Sequence, residues 1–191
     1  MTARSRMICI LALVILTTGC ASTSFESRVA DGFDRTVERL FVLADVGGNW
    51  DQDDVDHLRA ALRAGFVPCV EVEVAVVSPL SLDPGDVQRD IESFAPEFVL
   101  VLDQTMEKSQ SMGIFGDTPR GFVFNAILTD PRSEEIVWRA NLDSSGNSDS
   151  RSSYIGSMVE KLIAGMNSDG VVNCPQAGTI DRNRKPAREI G

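Results

Sequence analysis

Residues 97–103, Glu97-Phe98-Val99-Leu100-Val101-Leu102-Asp103, make an apolar run without alternation. A strand with one wet face alternates apolar and polar residues. An unbroken run therefore needs cover on both faces and belongs inside a mostly parallel sheet. This stretch commits the chain to an α/β fold, with helices beside it to supply the cover.

The residues before it supply strands and helices in the required order. Arg39-Leu40-Phe41-Val42-Leu43-Ala44-Asp45 runs into Gly47-Gly48-Asn49 and reads as a first buried strand. Asp51, Asp53, Asp54 and Asp56 come next. A calcium loop would need an acidic or Asn residue at its fifth place and Gly at its sixth, where this chain has Val55 and Asp56. The four carboxylates read instead as a helix N-cap and a negative first turn. Val55, Leu58, Ala61 and Leu62 line one face of that helix, and Gly65 ends it. Residues 69–78 form a second strand in which Val70, Val72 and Val74 alternate with Glu71 and Glu73, as at an edge or a solvated side. Asp83-Pro84 opens a second helix with Val87, Ile91 and Phe94 as its core stripe, and Pro96 ends it. Strand, helix, strand, helix, strand is the order of parallel crossover units.

Beyond residue 103 the pattern changes. Phe122, Phe124, Ala126 and Leu128 share one face of a strand at 121–129. Asp130-Pro131-Arg132-Ser133 is a turn, and Ile136, Trp138, Ala140 and Leu142 face inward from a strand at 135–143. These two strands make an antiparallel hairpin. A Ser/Gly/Asn-rich loop at 144–153 leads to a last helix with the core face Ile155, Met158, Val159, Leu162, Ile163 and Met166. The expected fold is a two-layer or three-layer α/β sandwich with a mixed five-stranded sheet, strands one to three parallel and four and five antiparallel. The expected domain spans 38–174. Residues 20–37 form a tether with a helical turn or two, since Phe25, Val29, Phe33 and Val37 recur every four residues. A disordered tail occupies 175–191.

The ends of the chain set its location. Arg4 and Arg6 precede the apolar stretch 7–16, and Ile15-Leu16-Thr17-Thr18-Gly19-Cys20 follows as a small-residue site. The stretch is about half of the roughly 20 residues that span a bilayer, which points to a signal at 1–19. The motif resembles the lipobox of bacterial lipoproteins, with Gly19-Cys20 and Thr18 in place and Thr17 standing where Leu is usual. The resemblance implies lipid on Cys20 and, from Ala21, sorting to the periplasmic side of the outer membrane. Loss of Arg4 and Arg6 takes the net charge from −10 to −12, leaving 16 basic residues against 28 acidic. Such a charge repels nucleic acid.

With Cys9 removed and Cys20 acylated, Cys69 and Cys174 remain. The strand order puts Cys69 at the lower end of the second strand and brings Cys174 out of the last helix at the same end. Two thiols in an oxidising compartment then form a bridge.

No catalytic motif or cofactor loop is present: no Gly-x-Ser-x-Gly elbow, Walker loop or Gly-x-Gly-x-x-Gly turn. His57 is the only His, so no zinc set assembles, and no cofactor is expected. Asp45 and Asp103 end parallel strands where α/β ligand crevices form, and are either an acid–base pair or polar strand ends. Residues 107–120 form a long loop carrying Met112, Ile114 and Phe115, which either contact a partner or fold back over the sheet.

The lipobox, the element order and the strand Glu135-Ile136-Val137-Trp138-Arg139-Ala140 are together similar to a group of small envelope lipoproteins. Their domain is related to the amino-terminal domain of TolB and the periplasmic domain of the curli-secretion lipoprotein CsgG. The resemblance covers residues 38–170 and implies a non-enzymatic role with an envelope protein partner. The alternative from the residues alone is a small-molecule or enzymatic site at Asp45 and Asp103.

Overall fold

Phe98, Leu100 and Leu102 are fully buried in the computed structural model, which describes residues 22–77, 84–111, 117–146 and 151–174. They lie on β4 (Phe98–Ser111) of a mixed sheet whose other strands are β1 (Ser22–Val29), β2 (Arg39–Asp45), β3 (Glu71–Val77), β5 (Asp117–Asp130) and β6 (Glu135–Ser145). The helices are α1 (Gln52–Phe66), α2 (Pro84–Phe94) and α3 (Arg151–Ser168). The strand order is β1-β6-β5-β4-β2-β3. β2 pairs in parallel with β3 and β4, and the remaining pairs are antiparallel.

The chain leaves β2, crosses to β3 through α1, then returns over β2 to β4 through α2. Two right-handed crossovers in opposite directions put their helices on opposite faces of the sheet. α1 starts as its charges require, with the Asp51 side chain accepting from Asp54 N at 2.8 Å. On α2, Phe94 meets Phe41 on the second face, with ring centroids 6.2 Å apart. α3 returns to the first face and packs beside α1. Tyr154, Ile155, Met158, Val159, Leu162, Ile163 and Met166 are buried there, over Phe122, Phe124, Leu128, Trp138 and Leu142 of the sheet. The sheet is thus sandwiched between helices near β2 and carries only α3 over β5, β6 and β1. Val99 and Val101 are accordingly half-buried, not fully covered on both faces.

The sheet has six strands, and the five-strand expectation is corrected by β1. Its eight residues pair with β6 from Ser22↔Ser145 to Val29↔Trp138. The four-residue spacing of Phe25 and Val29 suggests a helical turn. Four is also twice the strand period, so both side chains fall on one face of β1 as readily as on one face of a helix. The stretch 20–37 is therefore no free tether from Ser22 onward.

The second correction concerns residues 107–120. β4 continues to Ser111 and β5 begins at Asp117, so most of the expected loop is two paired strand arms. Register shifts at Gln104/Met106 and Lys108/Ser109 interrupt the alternation there, which removes the sequence signal of a strand. Gly121, at φ +145, sits so close to β6 that a Cβ would stand 1.8 Å from Ser144 O.

Candidate functional site

We call upper the end of the sheet at which the parallel strands finish. Asp45 of β2 and Asp103 of β4 are direct register partners there, on adjacent parallel strands, and both are exposed. Register partners in a parallel pair point to the same face, so the two carboxylates stand side by side. Asn125 of β5 and Asn141 of β6 continue this row, and Asn141 Nδ2 donates to Asn125 Oδ1 at 3.0 Å. The row is exposed at Asp45, Asp103 and Asn141 and half-buried at Asn125. It is wet and unenclosed.

The other side of the same end holds a polar knot. Arg151, the first residue of α3, donates to Asp54 of α1, to Glu107 Oε1 of β4 at 2.9 Å and to Asn49 O at 3.0 Å. Glu107 Oε2 accepts from Asn49 Nδ2 at 3.1 Å. Gln104 Oε1 accepts from Trp50 Nε1 at 2.7 Å and from Gly47 N at 3.0 Å. The guanidinium lies 5.4 Å from the Trp50 ring centroid and 5.8 Å from that of Phe122. Burial works against its charge, yet the Asp54 and Glu107 carboxylates more than offset this and hold its pKa above the ordinary arginine value. Both acidic groups are engaged by one cation. The knot therefore offers no free base, and it fastens the β2–α1 loop, the β4 arm and the start of α3 together.

Sequence reading missed this knot. In the sequence Asp54 reads as part of the helix start, and Arg151 lies in the Ser/Gly/Asn-rich loop at 144–153. Nothing in periodicity links positions so far apart in the chain.

Cys69 and Cys174 are joined by a disulfide at the lower end, with their Cα atoms 4.5 Å apart. Cys174 N also donates to Asn167 Oδ1 at 2.8 Å, which ties the chain after α3 back to that helix. His57 lies exposed on α1. Cys20, Met112, Ile114 and Phe115 lie outside the described residues. Among the described residues no three His, Cys, Asp or Glu side chains gather to hold a metal ion. No helix among them is long and apolar enough to cross a membrane.

No protein-family model matches the chain, and no characterised protein matches it in sequence. Among solved structures it is similar to a PelC dodecamer from Paraburkholderia phytofirmans, at 19% identity and a TM-score of 0.48, over 78% of this chain and 97% of that one. It is also similar to lipoprotein GNA1162 from Neisseria meningitidis, at 14% identity and a TM-score of 0.43, over 69% of this chain and 99% of that one. TolB from Acinetobacter baumannii gives 11% identity and a TM-score of 0.30, over 74% of this chain and 31% of that one.

Proposed function

We propose that this chain is a non-catalytic interaction module of the bacterial cell envelope, lipid-anchored through Cys20 at the periplasmic face of the outer membrane. The observation that carries the reading is the Cys69–Cys174 bond, since such a staple suits an exported domain in an oxidising compartment. The lipobox at 15–20 supplies the anchor, and two or more acyl chains on one residue make attachment stable. The polar knot at Arg151 is spent on holding loops together, which fits a rigid scaffold. The partner is an envelope protein.

The test has two parts. Intact mass of the membrane fraction is expected to show a chain beginning at Cys20 with acyl groups, and Cys20→Ser is expected to release it. Crosslinking followed by capture is then expected to recover an envelope protein. An unmodified chain in the soluble fraction, or capture of nothing beyond background, would reject the reading.

A second reading is favoured by one observation, the side-by-side Asp45 and Asp103 at the strand ends. Here the pair binds a small cationic ligand or serves acid–base chemistry. A ligand that raises the melting temperature of the native chain, but not of Asp45→Ala or Asp103→Ala, would support it. A screen in which both variants respond as the native chain does would remove it.

A further inference from the structure

Ser22 is already paired with Ser145, although only Ala21 separates it from Cys20. A lipid on Cys20 would therefore leave the domain almost no leash. β1 runs downward from Ser22, so the anchored end of the chain enters the sheet at its upper end. Register fixes how high. Ser22 is level with Ser145, which is level with Gly121, which is level with Lys108.

Above that level the β4–β5 arms continue alone through Ser109↔Pro119, Gln110↔Thr118 and Ser111↔Asp117. Three further pairs extend about 10 Å at the rise of a strand. Two residues of extended chain bring Cys20 at most about 7 Å above Ser22. The ends of the arms thus reach at least as far as the lipidated residue can.

We propose that the upper ends of β4 and β5 rest in the polar interface of the bilayer that holds Cys20, so that the sheet stands on end on the membrane. The partner of this surface is lipid. The proposal rests on the anchoring reading above and adds an orientation to it. The disulfide and the β5–β6 turn at 131–134 then point away from the membrane.

The test uses lipidated full-length chain on vesicles of phosphatidylethanolamine and phosphatidylglycerol. Native Cys69 and Cys174 are bonded, so one added Cys reports its own position. Thr118→Cys and, separately, Gln110→Cys mark the arms, and Arg132→Cys marks the opposite end. A membrane-impermeant maleimide is expected to lose access to Thr118→Cys and Gln110→Cys on vesicles, while Arg132→Cys labels as fast as in the same chain made soluble by Cys20→Ser. Vesicle-bound protein in which both arm positions label as fast as Arg132→Cys would overturn the orientation and leave the anchor standing. A chain that carries no lipid and does not float with the vesicles would overturn the anchoring reading and this proposal with it.

Discussion

Gly165 of α3 faces the ring of Phe25 on β1 so closely that a Cβ on the glycine would stand 2.0 Å from Phe25 Cζ. The edge strand β1 is therefore seated on the last helix through a site where only hydrogen fits. Phe25 also stacks near Trp138, with centroids 6.2 Å apart and planes 30° from parallel. Gly165→Ala is expected to push Phe25 out of this seat and to destabilise the domain by about 1 to 3 kcal/mol, the usual cost of overpacking. Chemical denaturation measures the loss. Faster amide exchange along residues 22–29 than elsewhere would show that β1 is the element released. An unchanged unfolding midpoint would mean that the ring moves freely and that this contact does not hold the strand.

Arg151 joins three segments, and removing it leaves Asp54 and Glu107 close together without their cation. Their side chains retain only 20% and 19% of their exposure, against 14% for Arg151. Breaking a fully buried pair costs about 3 to 5 kcal/mol. With this residual solvent access, about 2 kcal/mol is expected for Arg151→Ala. Arg151→Lys should recover only part of it, since an ammonium cannot reproduce the fork that meets two carboxylates and the Asn49 carbonyl. Equal stability of Arg151→Lys and the native chain would deny the fork its role.

Much of this architecture is legible from one kind of signal, the period of the apolar positions. The alternation at 71–77 and the helix stripe from Val55 to Leu62 each fix an element and a face, whereas the run at 98–102 fixes the strand but not which of its faces is the more deeply covered. Failures occur where the period is shared or broken. Phe25 and Val29 satisfy helix and strand equally, and only pairing with β6 decides between them. The arms at 107–111 and 117–120 lose alternation at their bulges, so their hydrogen bonds, not their side chains, make them strands. The carboxylate row is half legible. Asp45 and Asp103 are marked as strand ends, but their adjacency depends on β4 being inserted next to β2. The Arg151 knot was not legible, because its members lie in three separate segments with no common period. The disulfide is half legible: strand direction puts Cys69 and Cys174 at one end, and the packing of α3 beside α1 brings them laterally together.

That bond closes a loop over a sequence separation of 105 residues. In the chain-entropy model a crosslink of this span stabilises by about 4 to 5 kcal/mol. Cys69→Ala/Cys174→Ala is expected to lower the melting temperature markedly, and reductant should lower that of the native chain by a similar amount without affecting the double variant. Native protein insensitive to reductant, with both thiols then shown to be alkylated, would mean that the bond contributes nothing to stability.

Asp130 closes the β5–β6 turn, where Glu134 N donates to its backbone carbonyl, and its carboxyl responds to acid. Its carboxyl is held below the ordinary carboxylate range, chiefly because Arg132 N donates to Oδ1 at 2.9 Å. Partial desolvation opposes this, and Arg35 Nη1, donating to Oδ2 at 2.9 Å, reinforces it. A carboxyl with a depressed folded-state pKa holds its proton less tightly than in the unfolded chain. It therefore contributes stability above the unfolded value, near pH 4, and loses that contribution as pH falls through the lower folded value. Asp130→Asn should be less stable than the native chain at pH 7, and the gap should narrow as pH falls below about 4. The effect is small, since Arg35 is half exposed and pairs of this kind contribute about 1 kcal/mol or less. Urea unfolding of both proteins at pH 7 and pH 3 measures it. A difference that stays constant across that interval would show that the turn depends on the shape of the side chain and not on its charge.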